Sequence, residues 1–390
     1  MTQHFDAIVI GAGTMGSAAA YYLTLAKQRV LLLEQFEVDH QLGSSYGVAR
    51  IIRYVYDNPI YINLMRAAYP LWFALEEKAS EKLYVKTGGI DFGLPTEPNF
   101  QQLLNSINSA GLDYQKMTAT EASLHFSQIR FDEEMEVVYQ EDTGFLAASK
   151  CVLAHTRLAQ AQGATLIDST PVTKILINNN SVEVQTASET YAAARIVITA
   201  GSWTSTLLAP LGIELPLRIM PTQVGFFAPD NSADYEPGRF PVFLAHINRD
   251  YGEEPYGIPT HQGSGVKIST FYGWETVSHP SEVDYTPDPQ WVERMRHFLR
   301  QYLPGANGSL LSTRRCLYTM TPDKHFIIDR HPEHPNMVFA AGFSGHGFKF
   351  STLVGKILSE LLLLGETKHD ISLFKVSRFQ KLTTQKAAVS

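Results

Sequence analysis

Apolar and polar positions along the first 34 residues divide into a strand, a helix and a second strand. The run "FDAIVI" (5–10) is apolar and ends at Gly11, the segment that follows is alanine-rich and helical in pattern, and "RVLLLE" is a second apolar run closed by Glu34. Gly11, Gly13 and Gly16 form G-x-G-x-x-G at the strand-to-helix junction, with an acid 18 residues past the last glycine. Strand-like patterning returns in "LYVKTGGIDFGL" (83–94), "ARIVITAGSWTS" (194–205), "VGFFAP" and "GVKIST", and "DPQWVERMRHFLRQYL" (288–303) has the pattern of a covering helix. The last strand, turn and helix lie in "NMVFAAGFSGHGFKFSTLVGKILSELLL".

Each part of the first unit suits a dinucleotide. Gly11 makes the tight turn, Gly13 lets backbone N–H groups approach a pyrophosphate, and Gly16 lets helix and strand pack closely. The helix N-terminus adds partial positive charge, and Glu34 can accept hydrogen bonds from ribose hydroxyls. A carboxylate there repels a 2′-phosphate, so NADP is disfavoured and FAD or NAD remains. Regular winding then stops at "QFEVDHQLGSSYGVARIIRYVY", and the strand that runs into Ala200 and Gly201 has the form of a second pass at the same cofactor. Three separated segments converging on one cofactor suit FAD better than NAD.

Composition removes several alternatives. The 390 residues are 44% hydrophobic and 18% charged with a net charge of −7, and "TRR" (313–315) is the longest basic cluster, so nucleic acid is not an expected partner. Two cysteines, Cys151 and Cys316, are too few for a disulfide framework or a thiolate zinc site, and no metal site is expected. No signal peptide, membrane span or C-terminal targeting signal is read, which gives a cytoplasmic expectation.

Four stretches in collinear order, "VIGAGTMGSAAAYYL", "GSSYGVARIIRYVY", "CLYTMTPDKHFIIDRHPEH" and "AAGFSGHGFKFS", resemble the monomeric sarcosine oxidase and N-methyltryptophan oxidase family of flavoprotein amine oxidases. The resemblance spans nearly the whole chain. It implies FAD linked covalently through Cys316, which has Tyr318 two residues on, and oxidation of a secondary or N-methylated amino acid to an imine with O₂ reduced to hydrogen peroxide. It further implies Arg53 and Lys349 as ligands of the substrate carboxylate, Arg50 against the flavin ring, Lys267 in O₂ activation, and Tyr256 and Tyr318 as pocket aromatics. Cofactor contacts are expected from Gly11, Gly13, Thr14, Met15, Gly16, Glu34, Ser44, Arg50, Val172, Ala200, Gly201, Trp203, Cys316, Gly342, Gly345, His346, Gly347 and Lys349.

Residue chemistry agrees with these roles without requiring them. A buried guanidinium needs an anion, and its planar fork meets a carboxylate with two hydrogen bonds. Lysine beside a helix start opposes the macrodipole and needs compensation. Cys316 alone could be a small core residue and His346 either core or flavin contact, while Cys151 has the setting of core. The family often has "GSHHGDTR" where this chain has "GSSYGVAR", placing Tyr46 for a histidine, and the stretch "STFYG" after Lys267 offers no counterpart to the family's active-site histidine.

The expected fold is α/β with two discontinuous domains. A Rossmann-like FAD domain takes 1–80, 145–217 and 315–390, and a substrate domain with a mixed or antiparallel sheet takes 81–144 and 218–314. A monomer is expected from the resemblance. The alternatives are a dehydrogenase passing electrons to another acceptor and a non-catalytic flavin-binding protein.

Overall fold

The first strand, Gln3–Ile10, becomes fully buried by Ala7, because it lies inside a sheet with helices on its faces. The computed structural model describes residues 3–178, 181–247, 253–272 and 275–379, so the tail "KAAVS" and Gly273 of "STFYG" lie outside the described residues. Gln3–Ile10 pairs in parallel with Val30–Leu33 on one side and Thr190–Ile198 on the other. Thr165–Ile167 and Met337–Ala341 extend this parallel core, and Ile327–Arg330, Ser181–Thr186 and Val172–Asn178 add antiparallel partners to make eight strands.

The helix Thr14–Leu25 packs against the last helix, Ser351–Leu363, with no room between them. A Cβ on Gly355 would lie 2.5 Å from Ala18, so Gly355 fixes how closely the two helices approach. This contact joins the helix that follows the first strand to the helix that follows the last strand of the same sheet.

A second eight-stranded sheet runs in the order Leu310–Met320, Arg218–Phe227, Val266–Tyr272, Glu253–Ile258, Val242–His246, Gly89–Gly93, Glu136–Gln140 and Gln115–Thr118. Its pairs are antiparallel except Val242–His246 with Gly89–Gly93, so the sheet is mixed. The helix Pro289–Tyr302 covers it. Asp288 caps that helix by accepting from the Gln290 N–H, and Trp291, Met295, Phe298, Leu299 and Tyr302 form its buried stripe at helical spacing.

The strand-like run 83–94 divides between two sheets. Gly88, at φ +69, turns the chain, leaving Tyr84–Lys86 in a three-stranded sheet with Gly144–Leu146 and Arg50–Ile52. Strand Leu310–Met320 passes unbroken through position 315, where a boundary between domains was expected, and pairs along its length with Arg218–Phe227. No helix among the described residues is long and apolar enough to cross a membrane.

Candidate active site

Where Gln3–Ile10 and Thr190–Ile198 end side by side, a cleft opens to solvent. Gly11, at φ +93, makes the turn into it, and a Cβ there would lie 2.6 Å from the Thr199 carbonyl. Gly16 does not face the cleft. A Cβ on it would lie 1.8 Å from the Gly11 carbonyl oxygen, so it serves the close packing of helix on turn.

Glu34 is buried at the cleft wall. Its carboxylate accepts from the Ala12 N–H at 2.7 Å and the Phe36 N–H at 3.1 Å, and His40 Nε2 stands 3.7 Å away. Gly13, Thr14, Met15, Ser44, Arg50, Val172, Ala200, Gly201, Trp203, Tyr318, Gly342, Gly345 and Gly347 also line the cleft. Gly345 is at φ +82 with the Tyr318 ring 2.5 Å from where its Cβ would be, so only glycine fits. Ser45, absent from the expected contacts, accepts from the Thr14 N–H at 3.0 Å. A glycine-lined cleft with a buried carboxylate in its wall fits an adenine dinucleotide such as FAD.

Arg50 opens the strand Arg50–Ile52 and lines the cleft, its side chain held by neutral groups. Its guanidinium donates to the carbonyls of Ser44, Tyr46 and Ala49 at 2.8–3.0 Å, and it lies 5.8 Å from the Phe348 ring centre. Its charge therefore meets no carboxylate at this anchor.

Cys316 lies just beyond the cleft lining, buried and unbonded to the other cysteine. On one strand, Arg314, Cys316 and Tyr318 alternate and so share a face. Burial pushes the thiol's pKa up, while Arg50, Lys267 and Arg314 pull it down. Lys267 is itself buried. It donates to the Ala49 carbonyl at 2.9 Å and lies 5.8 Å from the Tyr256 ring centre, and burial together with Arg50 drives its pKa well below the usual lysine value. Burial raises the phenols of both Tyr256 and Tyr318. Cys151 is buried in the hydrophobic core.

A second group of charges surrounds Tyr56. Lys349 donates to the Tyr56 hydroxyl at 2.8 Å and to the His346 carbonyl at 3.1 Å, both neutral partners. The Lys349 ammonium and the Arg53 guanidinium lie 5.2 and 5.9 Å from the Tyr56 ring centre. Burial, and then Arg53, push the Lys349 pKa well below the ordinary lysine value. Arg53 already has an anion within the protein, since its Nη1 donates to Asp91 Oδ1 in a buried ion pair. His246 Nε2 reaches the same oxygen at 2.7 Å.

His346 does not turn its ring to the cleft. It packs against Phe326, Tyr61 and Tyr56 with centroids 4.6–5.7 Å apart and contacts the Lys324 carbonyl at 3.0 Å. Burial, then the Lys349 charge, hold its pKa down at about 3, so it is neutral. Phe271 stands edge-on to Tyr256 at 6.2 Å, in the stretch that offers no active-site histidine.

A fold built this way, with this cleft, defines an FAD-dependent oxidoreductase, and the chain belongs to that family, whose model matches residues 6–361. Among its relatives are monomeric sarcosine oxidase of a Bacillus species, 37% identical over 386 residues covering 97% of both chains, and peroxisomal sarcosine oxidase of Mus musculus, 36% identical over 98% of both. N-methyl-L-tryptophan oxidase of Salmonella arizonae is 30% identical over 97% of this chain and 100% of its own. Among solved structures, NikD, an amino acid oxidase of nikkomycin biosynthesis, superposes with a TM-score of 0.86 at 26% identity, covering 96% of this chain and 98% of that one.

Proposed function

We propose that the protein is an FAD-dependent oxidase of secondary or N-methylated amino acids, of the sarcosine or N-methyltryptophan oxidase type. The observation that carries this reading is the pair of buried cations, Arg53 and Lys349, meeting at Tyr56 beside a dinucleotide-shaped cleft. Arg53 is already paired with Asp91 while Lys349 meets only neutral partners, so the two cations together carry an unbalanced charge, and an amino-acid carboxylate is the anion the family resemblance supplies. The names of the relatives support a monomer acting on a small N-substituted amino acid.

Bound FAD would take hydride equivalents from the carbon next to the substrate nitrogen and pass electrons to O₂, leaving an imine and hydrogen peroxide. The chain's part is binding and orientation. Arg53 and Lys349 hold the carboxylate and so fix the reacting C–H in one geometry. Glu34 and the glycine turns at 11, 13, 342 and 345 hold the cofactor. Arg50 stabilises negative charge near the ring, and Lys267 offers its charge where O₂ is reduced. Cys316 is the residue we assign to a covalent thioether with the flavin; burial holds its thiol pKa up, and Arg50, Lys267 and Arg314 offset part of that.

The test is steady-state oxidation of N-methyl amino acids by the native enzyme and by Arg53→Met. Loss of a charge-assisted carboxylate contact predicts a KM raised by roughly tenfold to a hundredfold. An unchanged KM across the panel overturns the carboxylate assignment.

A further inference from the structure

Asp91 is an acid in an otherwise apolar, fully buried strand, Gly89–Gly93, between Ile90 and Phe92. Burying a carboxylate there is costly unless cations meet it. Two do, and on one oxygen: Oδ1 accepts from Arg53 Nη1 and from His246 Nε2. His246 comes from the parallel neighbour Val242–His246, whose register sets Leu244 beside Asp91 and so puts His246 two positions along on the same face. Its other nitrogen stands 3.6 Å from Glu254 Oε1. Burial works against the imidazolium, yet Asp91 and then Glu254 hold its pKa up at about 9.

Arg53 makes one hydrogen bond among the described residues, the one to Asp91. The guanidinium is pinned at one corner, and the rest of its fork stays available. The charges around it then pair off: Arg53 with Asp91, and His246 with Glu254, which leaves Lys349 as the unmatched cation of the group. One ligand carboxylate balances that surplus. A second carboxylate beside Arg53 would face Asp91, whose oxygen already takes up Arg53 and His246.

We infer that Asp91, held by His246, is a positioning residue for Arg53 and a specificity-determining residue: it restricts the site to N-substituted amino acids carrying a single carboxylate and rejects dicarboxylic ones. This rests on the carboxylate reading of Arg53 and Lys349. Like charges placed together cost affinity, which is how such a residue excludes a wrong ligand.

N-methylasparagine and N-methylaspartate test it, since they nearly match in shape and differ by one charge. With the FAD-loaded enzyme they are compared as substrates by kcat/KM, or as competitive inhibitors by Ki. The native enzyme is expected to favour N-methylasparagine by about tenfold or more. Asp91→Asn brings the ratio to within about threefold, and His246→Gln, which removes a positive charge while keeping an N–H beside Asp91, widens it. A purely structural role would move both compounds together. No preference in the native enzyme overturns the inference, as does an unchanged ratio in Asp91→Asn or, where that variant does not fold, in His246→Gln. An unchanged KM for N-methylasparagine in Arg53→Met would instead overturn the carboxylate reading itself.

Discussion

The Lys349 ammonium donates to the Tyr56 hydroxyl at 2.8 Å, and no carboxylate among the described residues answers its charge. Burial and the nearby Arg53 lower its pKa, so in the ligand-free enzyme it gives up its proton at a lower pH than an ordinary lysine. A bound carboxylate reverses this by favouring the charged form. Above the lowered pKa, binding therefore takes up a proton, and affinity falls by up to about tenfold per pH unit. Flavin absorbance titrations with a non-oxidisable monocarboxylate across pH check this; Lys349→Met should flatten the profile.

Glu34 uses its carboxylate to accept backbone N–H groups from both Ala12 and Phe36. Glu34→Gln removes the charge and one acceptor oxygen, and also the acceptor for a ribose hydroxyl. FAD affinity should fall by roughly tenfold or more, as expected for a charge-assisted pair. Reconstitution of Cys316→Ala apoprotein with FAD, followed by flavin fluorescence, measures it without the covalent link.

Gly345→Ala should fail at the cleft. The backbone stands at φ +82 and the new Cβ would meet the Tyr318 ring at 2.5 Å. Backbone strain of about 1 kcal/mol or more adds to the cost of displacing a buried ring. Flavin content per chain and Tm should both drop, whereas Gly111→Ala, also at positive φ but with nothing within 4 Å, should lower Tm and leave flavin content unchanged.

His246 makes stability depend on pH in a defined direction. Its folded pKa of about 9 exceeds the ordinary value of 6.5, so the protonated form is favoured by folding. That stabilisation is fully present below pH about 6.5 and is lost as pH rises to about 9 and beyond. Chemical denaturation of native protein and His246→Gln across this range should show the native advantage shrinking with pH and the variant's profile flatter.

The sequence made the cofactor cleft legible because its parts are local. Strand, turn, helix and acid lie within residues 5–34, and each glycine's task follows from the backbone it must form. Cys316 and Lys349 drew attention through the family resemblance and, for Lys349, through its place beside a helix start, and the structure shows both buried. Asp91, His246 and Glu254 were not, because the partners are 155 residues apart and meet only through a parallel pairing that no local pattern announces. The one available signal was the acid itself, standing between Ile90 and Phe92 in an apolar run. Lys267 was ambiguous for a related reason: alternation along a strand gives two faces, and only the other sheet partners decide which is buried. His346 was equally open until the aromatic cluster around Tyr61 and Phe326 supplied its surroundings.

The most direct measurement pairs each N-methyl amino acid with the amine that lacks its carboxylate and counts hydrogen peroxide per substrate oxidised. An FAD oxidase that holds the carboxylate with Arg53 and Lys349 predicts one peroxide per acid oxidised, and a kcat/KM for the matched amine lower by roughly a hundredfold. Equal rates for acid and amine, or oxidation that proceeds only with an acceptor other than O₂, would contradict it.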